Sequence, residues 1–531
     1  MSDISKKVPF LRSCLEECSE PVKAEITGVI PVWLTGTLLR NGLGLTQVGE
    51  DKYNSVLDGL SLIHRFRISN GAVEYQNKFL RSDTYESNLK ANRIVVSEFG
   101  THAYPDPCKS IWKNFQSVFL PYSQVTDNCN VNVYPVRDQL YAATETNFIR
   151  RIDGNTLDTH EKVDLSKYVA INMALAHVHV DPDGTVYNMG SSFGPNGKYH
   201  LIKIPNTENP FENMSIICSI PMKRTLNPSY YHSFAITDNY FVFIEQSLVI
   251  SAASIIRSTI NGARTFESIL AWKPEYKTKF HLIQRSDGKL IDTKYKSEAF
   301  SFFHTINAYE DDNHLVVDIC CFTGGHMGPA LKIQHWKDVI ENNHKFGYIT
   351  QVRRFVLPLR QRLNDAKPAV NLVDLDYTKA SATISADKSV VELKYEAITD
   401  EGPLMGELPR INYRFNGKIY RFFYSLLQSD GVMKTKIMKF DTKTKESIVW
   451  WEESAICSEP VFVENPSIDY SDPDNEDNGV VLCSVLSELD ETEGFLLVLD
   501  AKTFTELGRA RFRTKSAITG TFHGFFAQQM N

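Results

Sequence analysis

Hydrophobic and polar residues follow a loose recurrence along this chain of 531 residues. A turn rich in Asp, Asn and Gly precedes an alternating or fully apolar run of β-branched and aromatic residues. This is the pattern of a strand entered through a tight turn. The units of this kind begin at Arg137, Asp183, Thr237, Asp311, Ala386, Asn416 and Asn478. Their uneven spacing does not establish a repeat by itself, but strands separated by long loops are typical of a β-propeller.

The length and composition indicate one large globular unit. A length of 531 residues exceeds that of most single domains, but a closed all-β architecture can accommodate it, so we expect residues 1–531 to form one domain. The aromatic content of 11% suits β-rich packing and contacts with apolar ligands. A net charge of -7 and a pI near 6.1 argue against nucleic acid as a partner.

The cysteines and the N-terminus indicate where the protein resides. The 9 cysteines have no regular spacing, which predicts reduced thiols in a cytoplasmic protein rather than a disulfide framework. The first ten residues, MSDISKKVPF, lack the apolar core of a signal peptide. No apolar run reaches the roughly 18 residues that a membrane-spanning helix needs. We therefore expect a protein that is soluble or attached to one face of a membrane.

Histidines and glutamates in distinctive contexts are the candidate functional residues. The histidine contexts are LAHVHV at His177, YYHSFAI at His232, FFHTINAYE at His304 and TFHGFF at His523. The glutamate contexts are ATETNF at Glu145, GELPRINY at Glu407 and CSEPVFV at Glu459. Imidazoles so far apart in sequence can meet only if a closed scaffold brings strand ends to one axis. Metal-bound histidine usually donates its second N–H to a carboxylate or carbonyl, so these residues predict a four-histidine metal centre supported by glutamates.

Two alternatives remain open at this level. Each histidine, taken singly, is as well explained as a buried core residue. His179 also competes with His177, because residues i and i+2 of a strand face the same side. The pattern of residues alone does not choose between these two positions.

Several longer strings connect the chain to a known family. They are LRNGLG at 39–44, PDPCK at 105–109, VYPVRDQLYAATETNF, DGTVYNMG, RINY and the terminal TFHGFF. On these strings the chain resembles the carotenoid cleavage oxygenases, in the animal branch that holds β-carotene oxygenases, a retinoid isomerase and insect isomerooxygenases. The resemblance implies an all-β, seven-bladed propeller with a helical and loop cap over the metal-bearing face. It also implies Fe(2+) as the metal and selects His177 over His179.

The resemblance also implies roles for individual residues. The carboxylate–imidazole pairs that it implies are Glu145 with His232, Glu407 with His304, and Glu459 with His523. His177 would then have no carboxylate partner. Phe99 and Thr144 match positions that line the active site in animal members; an ordinary strand hydroxyl is the less favoured alternative for Thr144.

The implied reaction is oxidative cleavage of the central 15,15′ double bond of a carotenoid by O₂, giving retinaldehydes, with isomerisation of one half to the 11-cis form as a variant. The alternatives are a retinoid isomerohydrolase that acts on retinyl esters without O₂, and eccentric cleavage at the 9,10 bond. A propeller that only binds proteins, or one with a structural zinc site, is disfavoured by seven metal-type residues in matching contexts. The sequence has no GxSxG, P-loop, HExxH or Rossmann motif, which fits metal-centred chemistry.

Two stretches predict contact with a membrane. Residues 108–122 place a set of apolar side chains on one face of a helix: Ile111, Trp112, Phe115, Val118 and Phe119. A second apolar run covers residues 247–256. Packing against the protein is the alternative for both. The resemblance implies a docking surface around the substrate entrance, palmitoylation of Cys108, and peripheral attachment to the endoplasmic reticulum; it leaves monomer and homodimer open.

Overall fold

The fold is a closed ring of antiparallel sheets. The computed structural model describes residues 8–103, 125–260, 265–325, 331–342, 349–364, 366–403, 405–428 and 434–528. Within these ranges seven sheets contain four to six strands each, and two further sheets contain two strands each. The seven larger sheets are the blades of a seven-bladed β-propeller, so the predicted fold class is confirmed.

The first four blades begin in order along the chain, although the third also takes two strands from a segment inserted within the fourth. The first contains Asn132–Val136, Gln139–Ala143, Phe148–Ile152 and Thr159–Asp164. The second contains Met173–Ala174, His179–Val180, Val186–Ser192, Lys198–Ile204 and Ser215–Pro221. The third contains Ala235–Ile236, Tyr240–Glu245, Thr278–Gln284, Lys294–Ser297, Ser381–Ile384 and Val390–Lys394. The fourth contains Ser301–Asp311, His314–Phe322, Thr350–Pro358 and Glu396–Ala397.

The last three blades use the remaining strands, including those at both ends of the described chain. The fifth contains Glu407–Arg410, Phe422–Gln428, Thr435–Asp441 and Ser447–Trp450. The sixth contains Ala455–Cys457, Val461–Glu464, Gly479–Ser487, Glu493–Asp500, Glu506–Arg513 and Glu25–Gly28. The seventh contains Thr521–Ala527, Gly36–Leu45, Leu60–Ser69, Ala72–Phe79 and Val22–Lys23. The small sheets pair Gln47–Val48 with Asp51–Lys52 and Leu248–Ile250 with Leu270–Trp272.

Helices are few and short. The α-helices within the described residues are Asp83–Ala91, Ala252–Ile260, Phe266–Ile269, Ile333–Asn342 and Arg360–Asn364. The 3₁₀ helices are Pro9–Leu11, Leu165–Lys167, Tyr413–Phe415 and Pro473–Asn475. In the part of the chain that the structure describes, no helix is both long and apolar enough to cross a membrane.

Strands from opposite ends of the sequence close the ring. The strand Thr521–Ala527 pairs antiparallel with Gly36–Leu45 in the seventh blade, and Glu25–Gly28 completes the sixth. The backbones approach closely at this closure, the ring seam. A Cβ at Gly42 would lie 2.4 Å from the carbonyl oxygen of Gly520, which explains the first glycine of LRNGLG. These two pairings between early and late strands close the ring of blades.

The hydrophobic core lies between neighbouring blades. Aromatic rings mark these contacts: Tyr75 of the seventh blade stacks on Phe512 of the sixth, with ring centroids 3.9 Å apart. Phe280 of the third blade lies 5.1 Å from Phe355 of the fourth. Sheets that pack face to face bury alternate residues of each strand, so the inner strands are held with their ends toward the central axis.

The seven turn-and-strand units of the sequence do not correspond one to one with the blades. The units at Thr237 and Ala386 both supply strands of the third blade. The seventh blade contains none of the units, because it combines the two ends of the described chain. The number of units therefore equals the number of blades by coincidence, although the prediction of seven blades is confirmed.

The cysteines in the described residues are free thiols. Most are buried, and burial raises the pKa of Cys321 to about 12 and that of Cys14 to about 11. Thiols with such pKa values are protonated and unreactive at neutral pH.

Candidate metal centre

Four histidines converge on the propeller axis. The members of this cluster are His177, His232, His304 and His523, and one nitrogen from each lies within 4.8 Å of the others. The Nε2 atoms of His177 and His523 are 3.0 Å apart although 346 positions separate them in the sequence. All four come from the second, third, fourth and seventh blades or from the loops that lead into them.

The remaining blades supply the glutamates. Glu145 follows the strand Gln139–Ala143 of the first blade, Glu407 begins a strand of the fifth, and Glu459 lies between two strands of the sixth. Each blade therefore sends one histidine or glutamate toward the axis. This is the geometric reason why seven residues from distant parts of the chain can form one site.

His177 and His179 point to different neighbours. His179 Nε2 lies 2.9 Å from the carbonyl oxygen of Phe234, and its Nδ1 lies 3.3 Å from the hydroxyl of Tyr413. His177 instead faces His523. The i, i+2 rule does not apply here, because His177 lies in the loop before the strand that begins at His179.

Three of the four imidazoles contact a carboxylate through Nδ1. The Nδ1–carboxylate contacts are His232 with Glu145, His304 with Glu407 at 2.6 Å, and His523 with Glu459 at 2.8 Å. The Nδ1 atom of His177 is buried and has no hydrogen-bond partner among the described residues.

The three glutamates have different surroundings. The Tyr230 hydroxyl donates to both oxygens of Glu145, at 2.9 and 3.2 Å. Glu407 accepts from the backbone N–H of Leu408 at 3.2 Å. Glu459 instead lies between two arginines: Arg40 donates to it at 2.6 Å, and Arg410 donates to both of its oxygens, at 2.7 and 3.2 Å.

These surroundings keep two of the carboxylates ionised. Burial raises the pKa of Glu459, but the charges of Arg410 and Arg40 and the hydrogen bond from His523 outweigh burial and hold it below its ordinary value. Burial likewise raises the pKa of Glu407, and His304 more than offsets the effect, so the net shift is downward. Hydrogen bonds and opposite charges favour the charged form of a buried carboxylate in this way.

Two of the imidazoles are held in the form that binds metals. Burial lowers the pKa of His523 to about 4, and burial together with the other three histidines holds the pKa of His177 well below its ordinary value. A neutral imidazole has a free lone pair on one nitrogen, as metal ligation requires. The Nε2 atom of His304 is buried without a hydrogen-bond partner in the described part of the chain. The cluster therefore fits a metal ion.

A β-bulge brings two supporting residues of one strand to the centre. Glu407 and Arg410 are three positions apart, and in a regular strand such residues point to opposite faces. The register shifts between them, and Leu408 has a φ of 49°. Because a bulge re-aims the side chains beside it, both Glu407 and Arg410 reach the histidine cluster.

An apolar layer covers the cluster on one side. Phe303 stacks on His232 with ring centroids 4.8 Å apart, and it contacts Tyr230 at 5.8 Å. Tyr230 in turn contacts Phe266 at 5.9 Å. Phe266 belongs to the short helix Phe266–Ile269, inserted between two strands of the third blade. A helical and loop cap on this side of the centre is therefore present.

The two predicted lining residues lie at different depths. Phe99 is half-buried and contacts Phe266 at 5.2 Å, and the rings of Phe266, Tyr230 and Phe303 lead from it to His232. Thr144 is half-buried, directly after the strand Gln139–Ala143 and one residue before Glu145. Thr144 adjoins Glu145, which contacts His232, whereas Phe99 adjoins Phe266 in the apolar layer farther from the histidines.

The first predicted membrane stretch lies outside the described residues; the residues concerned are Cys108, Ile111, Trp112, Phe115, Val118 and Phe119. The second, at 247–256, divides into two parts. Leu248–Ile250 is a buried strand, whereas Ala252–Ile260 is a helix with Ile256 exposed. Only the helical part offers an apolar surface.

A seven-bladed propeller with a four-histidine centre and supporting carboxylates defines a class of metalloenzyme. The family described as retinal pigment epithelial membrane protein, RPE65, matches residues 11–528. The chain therefore belongs to this family, the carotenoid cleavage oxygenases, as the sequence motifs predicted.

Individual relatives agree with this assignment. The chain is 44% identical over 528 residues to the β,β-carotene 15,15′-dioxygenase of Gallus gallus, with 97% of each protein covered. It is 41% identical over 533 residues to the mitochondrial carotenoid-cleaving dioxygenase of Mustela putorius furo, covering 97% of this chain and 95% of the relative. The structure of cobalt-substituted apocarotenoid oxygenase from Synechocystis superposes with a TM-score of 0.76 at 20% identity, covering 99% of this chain and 98% of the other.

Sequence reasoning missed several residues that contact the centre. Arg40, Tyr230, Phe303 and Arg410 were not predicted as site residues. A signal was present, because each lies within a string already singled out: LRNGLG, YYHSFAI, FFHTINAYE and RINY.

Proposed function

We propose that this protein is an iron(II)-dependent dioxygenase that cleaves the central 15,15′ double bond of a carotenoid to retinaldehydes. The observation that carries the proposal is the convergence of four imidazoles, three of them paired with glutamates, beside an apolar layer. The chicken relative that shares 44% of its residues is named for this reaction.

The four imidazoles are compatible with iron, and family membership makes iron the proposed metal. Imidazole ligands suit Zn, Cu, Fe and Ni alike, so the four histidines do not specify the metal by themselves. Family membership favours iron, and His177, His232, His304 and His523 would hold it. When bound, iron(II) would supply the reactivity toward O₂ that the side chains lack.

The residues around the metal would have two tasks. Glu145, Glu407 and Glu459 would hold the Nδ1–H groups of their histidines, so that the other ring nitrogens face the common centre. Phe303 and Tyr230, with Phe99 and Thr144 farther out, would contact the polyene and exclude water. A hydrocarbon substrate offers no polar groups, so its binding depends on apolar burial, about 25 cal/mol per Å².

The overall reaction balances without another reductant. One O₂ is consumed, the central carbon–carbon double bond breaks, and each half takes one oxygen atom as its aldehyde. A second candidate is cleavage at another double bond, favoured by relatives at 41% identity named carotenoid-cleaving dioxygenase.

Product analysis tests the proposal directly. Iron-loaded protein incubated in air with all-trans β-carotene or zeaxanthin should yield two C20 aldehydes, identified by chromatography. An 11-cis fraction would add an isomerase activity, and unequal fragments would indicate eccentric cleavage. Conversion of retinyl ester to cis-retinol with no carotenoid cleavage would overturn the proposal in favour of an isomerohydrolase.

We also propose that the helix Ala252–Ile260 contributes to a membrane-docking surface. Its first residue donates a backbone hydrogen bond to the carbonyl of Leu226 at 2.9 Å, so Leu226 and the helix are adjacent. Leu226 and Ile256 are 69% and 62% exposed, which is unusual for large apolar side chains close together. A water-insoluble substrate has to be withdrawn from a membrane, and peripheral docking beside the cap would allow this.

Replacing Ile256 by aspartate should reduce binding to phosphatidylcholine liposomes in a sedimentation assay, because a charge has to be desolvated to enter the membrane interface. Activity on detergent-dispersed carotenoid should stay at the wild-type level. Ile419→Asp is the matched control, since Ile419 is 58% exposed in a loop of the fifth blade. Equal loss of binding in both variants, or none in Ile256→Asp, would reject the docking role of the helix.

A further inference from the structure

The partners of the three glutamates divide them into two kinds. Among the described residues, Glu145 accepts only from His232 and the neutral Tyr230 hydroxyl. Glu407 accepts from His304 and a backbone N–H and lies beside the protonated Cys320 thiol. Neither has an ion pair with lysine or arginine within the described ranges. Glu459 has two such ion pairs, at 2.6 and 2.7 Å.

This difference affects how strongly each histidine donates electrons to a bound metal. A carboxylate that accepts the Nδ1–H of an imidazole draws that proton toward itself and makes the opposite nitrogen a stronger electron donor. Guanidinium groups on the same carboxylate withdraw its negative charge through charge-assisted hydrogen bonds. His523 should therefore be a weaker electron donor than His232 and His304.

Of the two arginines, Arg410 can be substituted with less disturbance of the fold. Arg40 is completely buried and also bonds Thr521 and the carbonyl of Phe522 at the ring seam, so its loss would disturb closure. The Arg410 side chain is 30% exposed. It also donates to the carbonyl of Gly524 at 2.6 Å, next to His523.

The strand of the fifth blade is shaped to bring Arg410 to this position. Without the bulge at Leu408, a strand that pointed Glu407 at His304 would point Arg410 away from the axis. A leucine with positive φ is rarely populated and costs free energy, and such backbone strain is concentrated at functional sites.

We propose that Arg410 is a positioning residue of the metal centre, whose guanidinium holds Glu459 and His523 and whose positive charge keeps the bound iron in the ferrous state. The inference rests on the proposed function, because it requires iron at the four histidines. A cation near the ion opposes loss of an electron directly. It also weakens electron donation from His523 to the iron. Both effects favour iron(II) over iron(III).

The test is a redox titration of iron-loaded protein under anaerobic conditions, with iron content measured beforehand and the ferric fraction followed by electron paramagnetic resonance. Arg410→Gln should bind iron but have a ferric-to-ferrous ratio about tenfold higher at a given potential, a shift of about 59 mV for one electron. Arg410→Lys retains the charge and should restore the wild-type ratio. Arg414→Gln is the matched control, since Arg414 lies four residues away and pairs with Glu464.

An unchanged ratio in Arg410→Gln would overturn the inference, as would an equal shift in Arg410→Lys and Arg410→Gln. If Arg410→Gln retains no iron, the test depends on Arg410→Lys. That variant must bind iron and keep the wild-type ferric-to-ferrous ratio; if it does not, the inference is also overturned. Wild-type protein that binds no iron would instead refute the proposed function. The two failures are therefore distinguishable.

Discussion

Replacing His523 by alanine is expected to empty the metal site and abolish carotenoid cleavage. The substitution removes a nitrogen that lies 3.0 Å from Nε2 of His177 and leaves at most three imidazoles for the metal. It also leaves Glu459 between two arginines with no imidazole to orient. Iron per protein, measured by atomic absorption, and aldehyde yield should both fall to background, and His232→Ala should behave in the same way.

His179→Ala is the matched control for this prediction. His179 is only two residues from His177, yet both of its nitrogens lie near Phe234 and Tyr413, away from the cluster. The variant should therefore retain full iron content. Full activity in His523→Ala or His232→Ala would remove that residue from the ligand set, provided that circular dichroism shows a folded protein.

Replacing Glu407 by glutamine should lower iron affinity about 10–100-fold, the usual cost of losing a residue that orients a metal ligand. Glutamine has nearly the same size, so the packing of the buried side chain changes little. The charge is lost, however, and with it the strong hydrogen bond that His304 donates at 2.6 Å. Iron titration of the apoprotein would measure the affinity, and thermal unfolding would verify that the fold persists.

The chain contains a matched control for this substitution as well. Glu245 is a buried glutamate whose carboxylate lies 2.9 Å from Nε2 of His281, but neither residue belongs to the metal cluster. Glu245→Gln should therefore leave iron affinity unchanged, even if it lowers stability. Equal iron affinity in Glu407→Gln and the wild-type protein would reject the supporting role of Glu407.

Local patterns in the sequence account for much of the fold. Turn residues followed by β-branched and aromatic runs correctly indicated strands such as Gln139–Ala143 and Gly479–Ser487. The seventh blade escaped this reasoning, because its pairing of Thr521–Ala527 with Gly36–Leu45 joins the two ends of the described chain. No window of neighbouring residues contains information about such a pairing.

The candidate site was predictable to a similar extent. The histidines and glutamates were identifiable because their residue types and contexts are unusual. The arginines around Glu459 were not, because an arginine in a strand is ordinarily a solvent-exposed residue. Their importance arises only when the fifth, sixth and seventh blades meet at the axis.

The sequence by itself determined the family, the all-β class and the set of residues able to bind a metal, since these depend on residue type and local order. Only the tertiary structure decided that Arg410 shares a carboxylate with His523. It also shows why His177, which the resemblance selects, faces His523 while His179 does not. The physical reason is that side-chain direction follows the backbone path. A loop before His179 and a bulge at Leu408 change that path, and the regular alternation of a strand does not reveal either one.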